Sequence, residues 1–98
     1  MKTPGRTDPD PTQGSVTYVD QDTATSLGLA YVTSSGQAVM RADNTTTGNR
    51  KSVRIETQKQ YNGGLFVLDC QHMPTGIGSW PAWWLYGPNW PNQGEIDV

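Results

Sequence analysis

No part of this chain is apolar for long enough to cross a bilayer: the longest run, Leu65-Phe66-Val67-Leu68, falls far short of the roughly 20 residues a span needs. There is no run of Lys or Arg, and seven basic residues face nine acidic ones, for a net charge of -2. Nothing marks a footprint for nucleic acid or an anionic membrane surface. One cysteine, Cys70, cannot close an internal disulfide, which leaves a buried thiol or half of a bridge to a partner outside the chain. One histidine, His72, with no Cys-x-x-Cys nearby, excludes the usual zinc patterns and reads as a loop hydrogen-bonder. The opening Met1-Lys2-Thr3-Pro4-Gly5-Arg6 is followed by Asp, Pro, Thr and Gly where a secretion signal would place its apolar core, so no signal peptide is read there. No helical period is sustained over three turns, no repeat recurs, and no Ser/His/Asp set or phosphate-binding glycine loop is present.

What is abundant is aromatic. Large aliphatic residues are scarce enough to hint at disorder, but the charge is too small to hold a chain open, and four Trp with four Tyr tip the balance to a folded β-protein. Residues 1–14 read as an irregular lead-in rich in Pro, Asp, Thr and Gly. Val16-Thr17-Tyr18-Val19 reads as a strand, and Asp20 to Ser26 as a polar connection with room for a helical turn. Leu29 to Thr33 and Gln37 to Ala42 flank Ser34-Ser35-Gly36, a hairpin with Gly where a positive φ is wanted. Asp43 to Asn49 is a polar loop containing Asn44-Thr45-Thr46, a glycosylation sequon of a kind that also arises by chance and that matters only in a secreted protein. Ser52 to Thr57 alternates, which predicts a strand with Val53 and Ile55 inward and Arg54 and Glu56 outward. Leu65 to Cys70, Ala82 to Tyr86 and Glu95 to Val98 complete the expected strands, and His72 to Ser79 a Gly/Pro-studded loop.

The chemistry gathers at the end of the chain. Glu95 and Asp97 are two apart on a strand, so they share a face while Ile96 and Val98 share the other. Retaining glycoside cleavage needs two carboxyl groups about 5 Å apart, and the apolar faces of sugar rings stack on aromatic side chains. Alternating acids on a strand are ordinary and by spacing alone read first as a solvated face, and the pair alone does not say which would attack and which would help. The aromatics beside them shift the balance. Trp83 and Trp84 are neighbours in a strand, so packing into a core accounts for one of them only, and Trp90 sits in a loop stiffened by Pro91.

Gly63-Gly64-Leu65-Phe66-Val67-Leu68-Asp69, His72-Met73-Pro74-Thr75-Gly76, Trp80-Pro81-Ala82-Trp83-Trp84, Gly87-Pro88-Asn89-Trp90-Pro91-Asn92 and Gly94-Glu95-Ile96-Asp97-Val98 together resemble glycoside hydrolase family 16. They look most like fungal endo-1,3(4)-β-glucanases of the laminarinase type. The likeness extends from about Asp8 to the end and covers the N-terminal part of such a domain, residues 15–98. It implies an all-β fold, a concanavalin A-like β-jelly-roll sandwich of two antiparallel sheets, incomplete here. It also implies hydrolysis of β-1,3 or mixed β-1,3(4)-glucans with retention, secretion, and a monomer when complete; the residues themselves suggest no cofactor and no metal at the site. Carried over by position, Glu95 matches the nucleophile, Asp97 the carboxylate that tunes its protonation, and Trp83 and Trp90 cleft-lining aromatics. The family's acid/base is a second Glu, expected two residues beyond Val98. A carbohydrate-binding β-sandwich without catalysis, or an inactive truncated fragment, would share most of these features.

Overall fold

The computed structural model describes residues 14–98, so the expected lead-in before Gly14, the reading of the first residues as lacking a signal, and the early part of the resemblance lie outside the described residues. The chain divides after Asn62 into two compact units. In the first, β1 (Val16–Tyr18) leads into a short helix, α1 (Gln21–Ser26), followed by β2 (Ala30–Val32), β3 (Ala38–Met40) and β4 (Arg50–Ser52). The second unit carries β5 (Trp84–Tyr86) and β6 (Glu95–Asp97). Strands pair two by two: β1 with β4 in parallel, β2 with β3 and β5 with β6 antiparallel.

The helix is only six residues long, too short to stand on propensity, and its two ends explain it. Asp20 caps the start by accepting from the Thr23 N–H at 2.8 Å, which satisfies one of the donors a first turn leaves open. At the other end the Leu29 N–H donates to Ala24 O at 2.8 Å and the Gly28 N–H to Thr25 O at 3.1 Å, with Gly28 at φ 65°. These two bonds form the helix-ending motif in which glycine reverses the backbone, and its two apolar positions are those of Ala24 and Leu29. They are also the buried hydrophobic residues among those described. The polar connection read from Asp20 to Ser26 is therefore a capped helix that anchors a small core.

The expected hairpin is present. β2 and β3 pair Ala30 with Met40 and Val32 with Ala38, Gly36 has φ 87°, and its N–H reaches Thr33 O at 3.0 Å while the Thr33 N–H reaches Gln37 O at 2.9 Å. That is the three-residue loop with glycine at its left-handed position.

Other expectations are corrected. The ladder at Ser52 to Thr57 ends at Ser52, and Val53, Arg54, Ile55 and Glu56 are all half-buried, so the inward and outward alternation is not realised. Leu65 to Cys70 forms no strand; it is exposed throughout, Leu65 by 90%, because apolar content alone makes no strand without a ladder partner. Cys70 is an exposed thiol, donating to the His72 backbone carbonyl at 3.5 Å, and not a buried one. The β1–β4 pair is parallel where purely antiparallel sheets were expected.

Candidate active site

The second unit builds its site on one hairpin. β5 and β6 pair Trp84 with Asp97, Leu85 with Ile96 and Tyr86 with Glu95. The register continues past both ends, with the Val98 N–H on Trp83 O at 3.0 Å and the Gly87 N–H on Gly94 O at 3.1 Å. In an antiparallel ladder hydrogen-bonded and non-hydrogen-bonded pairs alternate, and the latter bring side chains closest. Trp84 with Asp97 and Tyr86 with Glu95 are such close pairs. The link between the strands turns at Asn89–Asn92, where the Asn92 N–H meets Asn89 O at 2.8 Å around a cis Trp90–Pro91 bond, as in turns with proline at their third position. Gly87 cannot be replaced without movement: a Cβ there would lie 2.5 Å from the Gln93 carbonyl oxygen.

One face of this hairpin therefore holds two acids and two aromatic rings, and the turn adds a third ring. The Trp84 and Tyr86 centroids are 4.9 Å apart, and Trp90 meets Trp84 edge-on at 6.0 Å. The Trp90 indole N–H donates to Glu95 Oε2, a charge-assisted bond that also fixes the ring. Asp97 is raised above its ordinary carboxylate value by desolvation first, then by the neighbouring Glu95 charge and a hydrogen bond to Glu95. Partial loss of water and a like charge beside it both disfavour the ionised form, so Asp97 gives up its proton less readily than an isolated carboxyl.

The structure brings together three of the four residues the sequence singled out: Glu95, Asp97 and Trp90. The fourth, Trp83, lies one position before Trp84, so the pleat turns it to the Leu85 and Ile96 face, where it is 39% exposed. Trp84 was weighed beside Trp83 but not chosen as the cleft residue, and Tyr86 was not singled out. Alternation shows that only one of Trp83 and Trp84 can share the acids' face; which one depends on the register, and the six-residue link from Pro88 to Gln93 hides that in one dimension. Among the described residues no three His, Cys, Asp or Glu side chains gather as a metal site would require, and no helix is long and apolar enough to cross a membrane.

A family model described as an XgeA-like, catalytic GH16 domain matches residues 6–98. A probable endo-1,3(4)-β-glucanase of Aspergillus fumigatus is 52% identical over 95 residues, which is 91% of this chain and 15% of that protein. The endo-1,3(4)-β-glucanase xgeA of Emericella nidulans is 50% identical over the same shares of each. A probable glycosidase of Schizosaccharomyces pombe is 43% identical over 91% of this chain and 22% of its own length. Among solved structures, the crystal structure of an elongating GH family 16 β-1,3-glucosyltransferase superposes with a TM-score of 0.86 at 43% identity, over 95% of this chain and 33% of that one. At that likeness the fold is the family's β-jelly-roll, with its sheets only partly formed in this chain. The chain spans about 15% of the length of the curated relatives it matches first.

Proposed function

The chain belongs to glycoside hydrolase family 16, and from that membership we propose that it supplies the nucleophile half of a retaining site for β-1,3 or mixed β-1,3(4)-glucans. The observation that carries this reading is the shared face: Glu95 and Asp97 stand directly opposite Tyr86 and Trp84, with the Trp90 N–H on Glu95. Flat rings beside a paired carboxylate are what a pyranose and its anomeric carbon need. In this reading Glu95 attacks C1 and forms a glycosyl ester while the bond from C1 to the leaving oxygen breaks. That oxygen takes its proton from a second carboxylic acid, which the resemblance places beyond Val98. Water then attacks C1, giving a proton to the carboxylate that served as acid, and the ester bond to Glu95 breaks. Asp97, raised above its ordinary value by desolvation and by the neighbouring Glu95 charge, is in this reading the carboxyl that tunes the nucleophile's protonation. The register turns Trp83 away, so the rings assigned to the sugar beside Glu95 are Trp84, Tyr86 and Trp90.

Laminarin hydrolysis by the intact protein tests the reading. Glu95→Gln is expected to lower kcat by more than about 10⁴-fold, the scale on which loss of a covalent nucleophile is felt, and Asp97→Asn by about 10²-fold. Unchanged glucan cleavage in Glu95→Gln overturns it. Laminarin binding by the wild type with no new reducing ends would instead favour a carbohydrate-binding role.

The likeness to an elongating glucosyltransferase favours a second reading for the same intermediate, in which a sugar hydroxyl replaces water and the glucan is lengthened. Chromatography of the products separates the two: shorter oligosaccharides alone mean hydrolysis, and longer ones mean transfer. By analogy with the fungal glucanases we further propose that the protein is exported and acts as a monomer, which its recovery from culture medium and its mass in solution would test.

A further inference from the structure

The loop from Asp43 to Asn49 takes no part in the carboxylate face, yet it holds Asn44-Thr45-Thr46, the chain's one Asn-x-Ser/Thr triplet. We propose that Asn44 is an N-glycosylation site. The proposal rests on the export reading above, because the donor, an oligosaccharide carried on a dolichyl diphosphate, is met in the secretory pathway.

The loop's geometry suits a carried glycan. Asn44 to Lys51 is exposed, and the side-chain amide of Asn44 has no hydrogen-bond partner among the described residues. Its neighbours are tied down. The Thr45 N–H and hydroxyl donate to Asp43 Oδ1 at 2.8 and 2.7 Å, and the Thr46 hydroxyl to Asp43 Oδ2 at 2.6 Å. The base of the loop is closed by the Asp43 N–H on Lys51 O at 2.8 Å and by Arg50 Nη1 on Asp43 O at 3.0 Å. A bulky polar group on Asn44 therefore projects from an anchored turn without displacing a packed side chain or breaking a ladder bond. Neither Thr45 nor Thr47 is proline, so the triplet can extend into the transferase. The folded turn engages the Thr46 hydroxyl, so transfer takes place on the chain before this turn closes.

In the transfer, the Asn44 amide nitrogen attacks C1 of the first N-acetylglucosamine. The N–C1 bond forms as the bond from C1 to the phosphate oxygen breaks, dolichyl diphosphate leaves, and the amide gives up one proton to the transferase's base.

The test is expression of the intact protein behind a cleavable secretion signal in a yeast host. Peptide N-glycosidase treatment in heavy-oxygen water and mass spectrometry of the tryptic peptide running from Ala42 to Arg50 then report Asn44 directly. The expected result is a heavy-oxygen aspartate at Asn44, lost in Asn44→Gln and in Thr46→Val and retained in Thr45→Ala. Secreted protein with unmodified Asn44 overturns the proposal. Retention in the cell when the intact protein is expressed without an added signal overturns the export reading and leaves the signal-driven result to decide the site.

Discussion

Trp90 offers Glu95 an indole N–H and, in the proposed site, offers a sugar the face of its ring, and substitution can separate the two. Trp90→Phe keeps an aromatic face and removes the donor. A hydrogen bond to a charged group contributes about 1.5–3 kcal/mol when both partners are well placed, and this site is open to solvent, so the low end applies. We expect kcat to fall about tenfold with KM nearly unchanged, whereas Trp90→Ala raises KM as well. An unchanged kcat in Trp90→Phe would mean that the donor is irrelevant, and equal effects of the two variants that the ring face is. Asp97 gives a second expectation. Its folded value lies above the ordinary 3.8, so its contribution to the paired hairpin is complete below that value and is lost as pH rises through the folded one. Carboxyl carbon NMR should place its midpoint above 3.8 and show it falling part of the way back in Glu95→Gln, since desolvation, the first cause, survives that change. Asp43 has the opposite sign. Thr45 and Thr46 hold it at about 2 against an ordinary 3.8, so the turn's stabilisation is complete above the ordinary value and fades as pH falls towards the lower one. The Thr45 amide shift, followed across that range, reports it.

Among the elements, the β5–β6 hairpin is the one on which the site depends. Gly87→Ala drives a Cβ to 2.5 Å from Gln93 O and 2.7 Å from Gln93 Cβ. The nearest of these atoms is backbone, so the link must move, at about 1–3 kcal/mol. Because that link carries Trp90, activity should fall further than stability alone explains, which a comparison of denaturant midpoints with kcat/KM would reveal. Gly36→Ala, at φ 87° with open space around it, costs only the left-handed backbone, about 1 kcal/mol, and should leave glucan cleavage unchanged.

Taken over all its described residues, the chain buries very little. Ala24 and Leu29 are its buried hydrophobic residues, while Leu65, Val67, Ile77, Trp80 and Val98 stand largely in water. Three separate two-stranded sheets are each below the size that holds on its own. The 98-residue chain produced alone should therefore show no cooperative calorimetric transition and should bind hydrophobic dyes. A sharp melt would contradict this.

Local chemistry made much of this readable in one dimension. Gly36 between two alternating runs forecast the first hairpin, and the two-residue spacing of Glu95 and Asp97 put both acids on one face, because turn preference and strand pleat act over a few residues. The helix at Gln21–Ser26 was legible only as room for a turn, since its stability comes from its caps and from Ala24 and Leu29 leaving water together. Leu65 to Cys70 looked like a strand because its side chains are apolar, but a strand exists through its partner's hydrogen bonds. Residue order settled the family, the carboxylate pair and the aromatic supply. The pairing of Trp84 with Asp97 was left to the folded hairpin, because register is a relation between distant segments and a shift of one residue exchanges the faces.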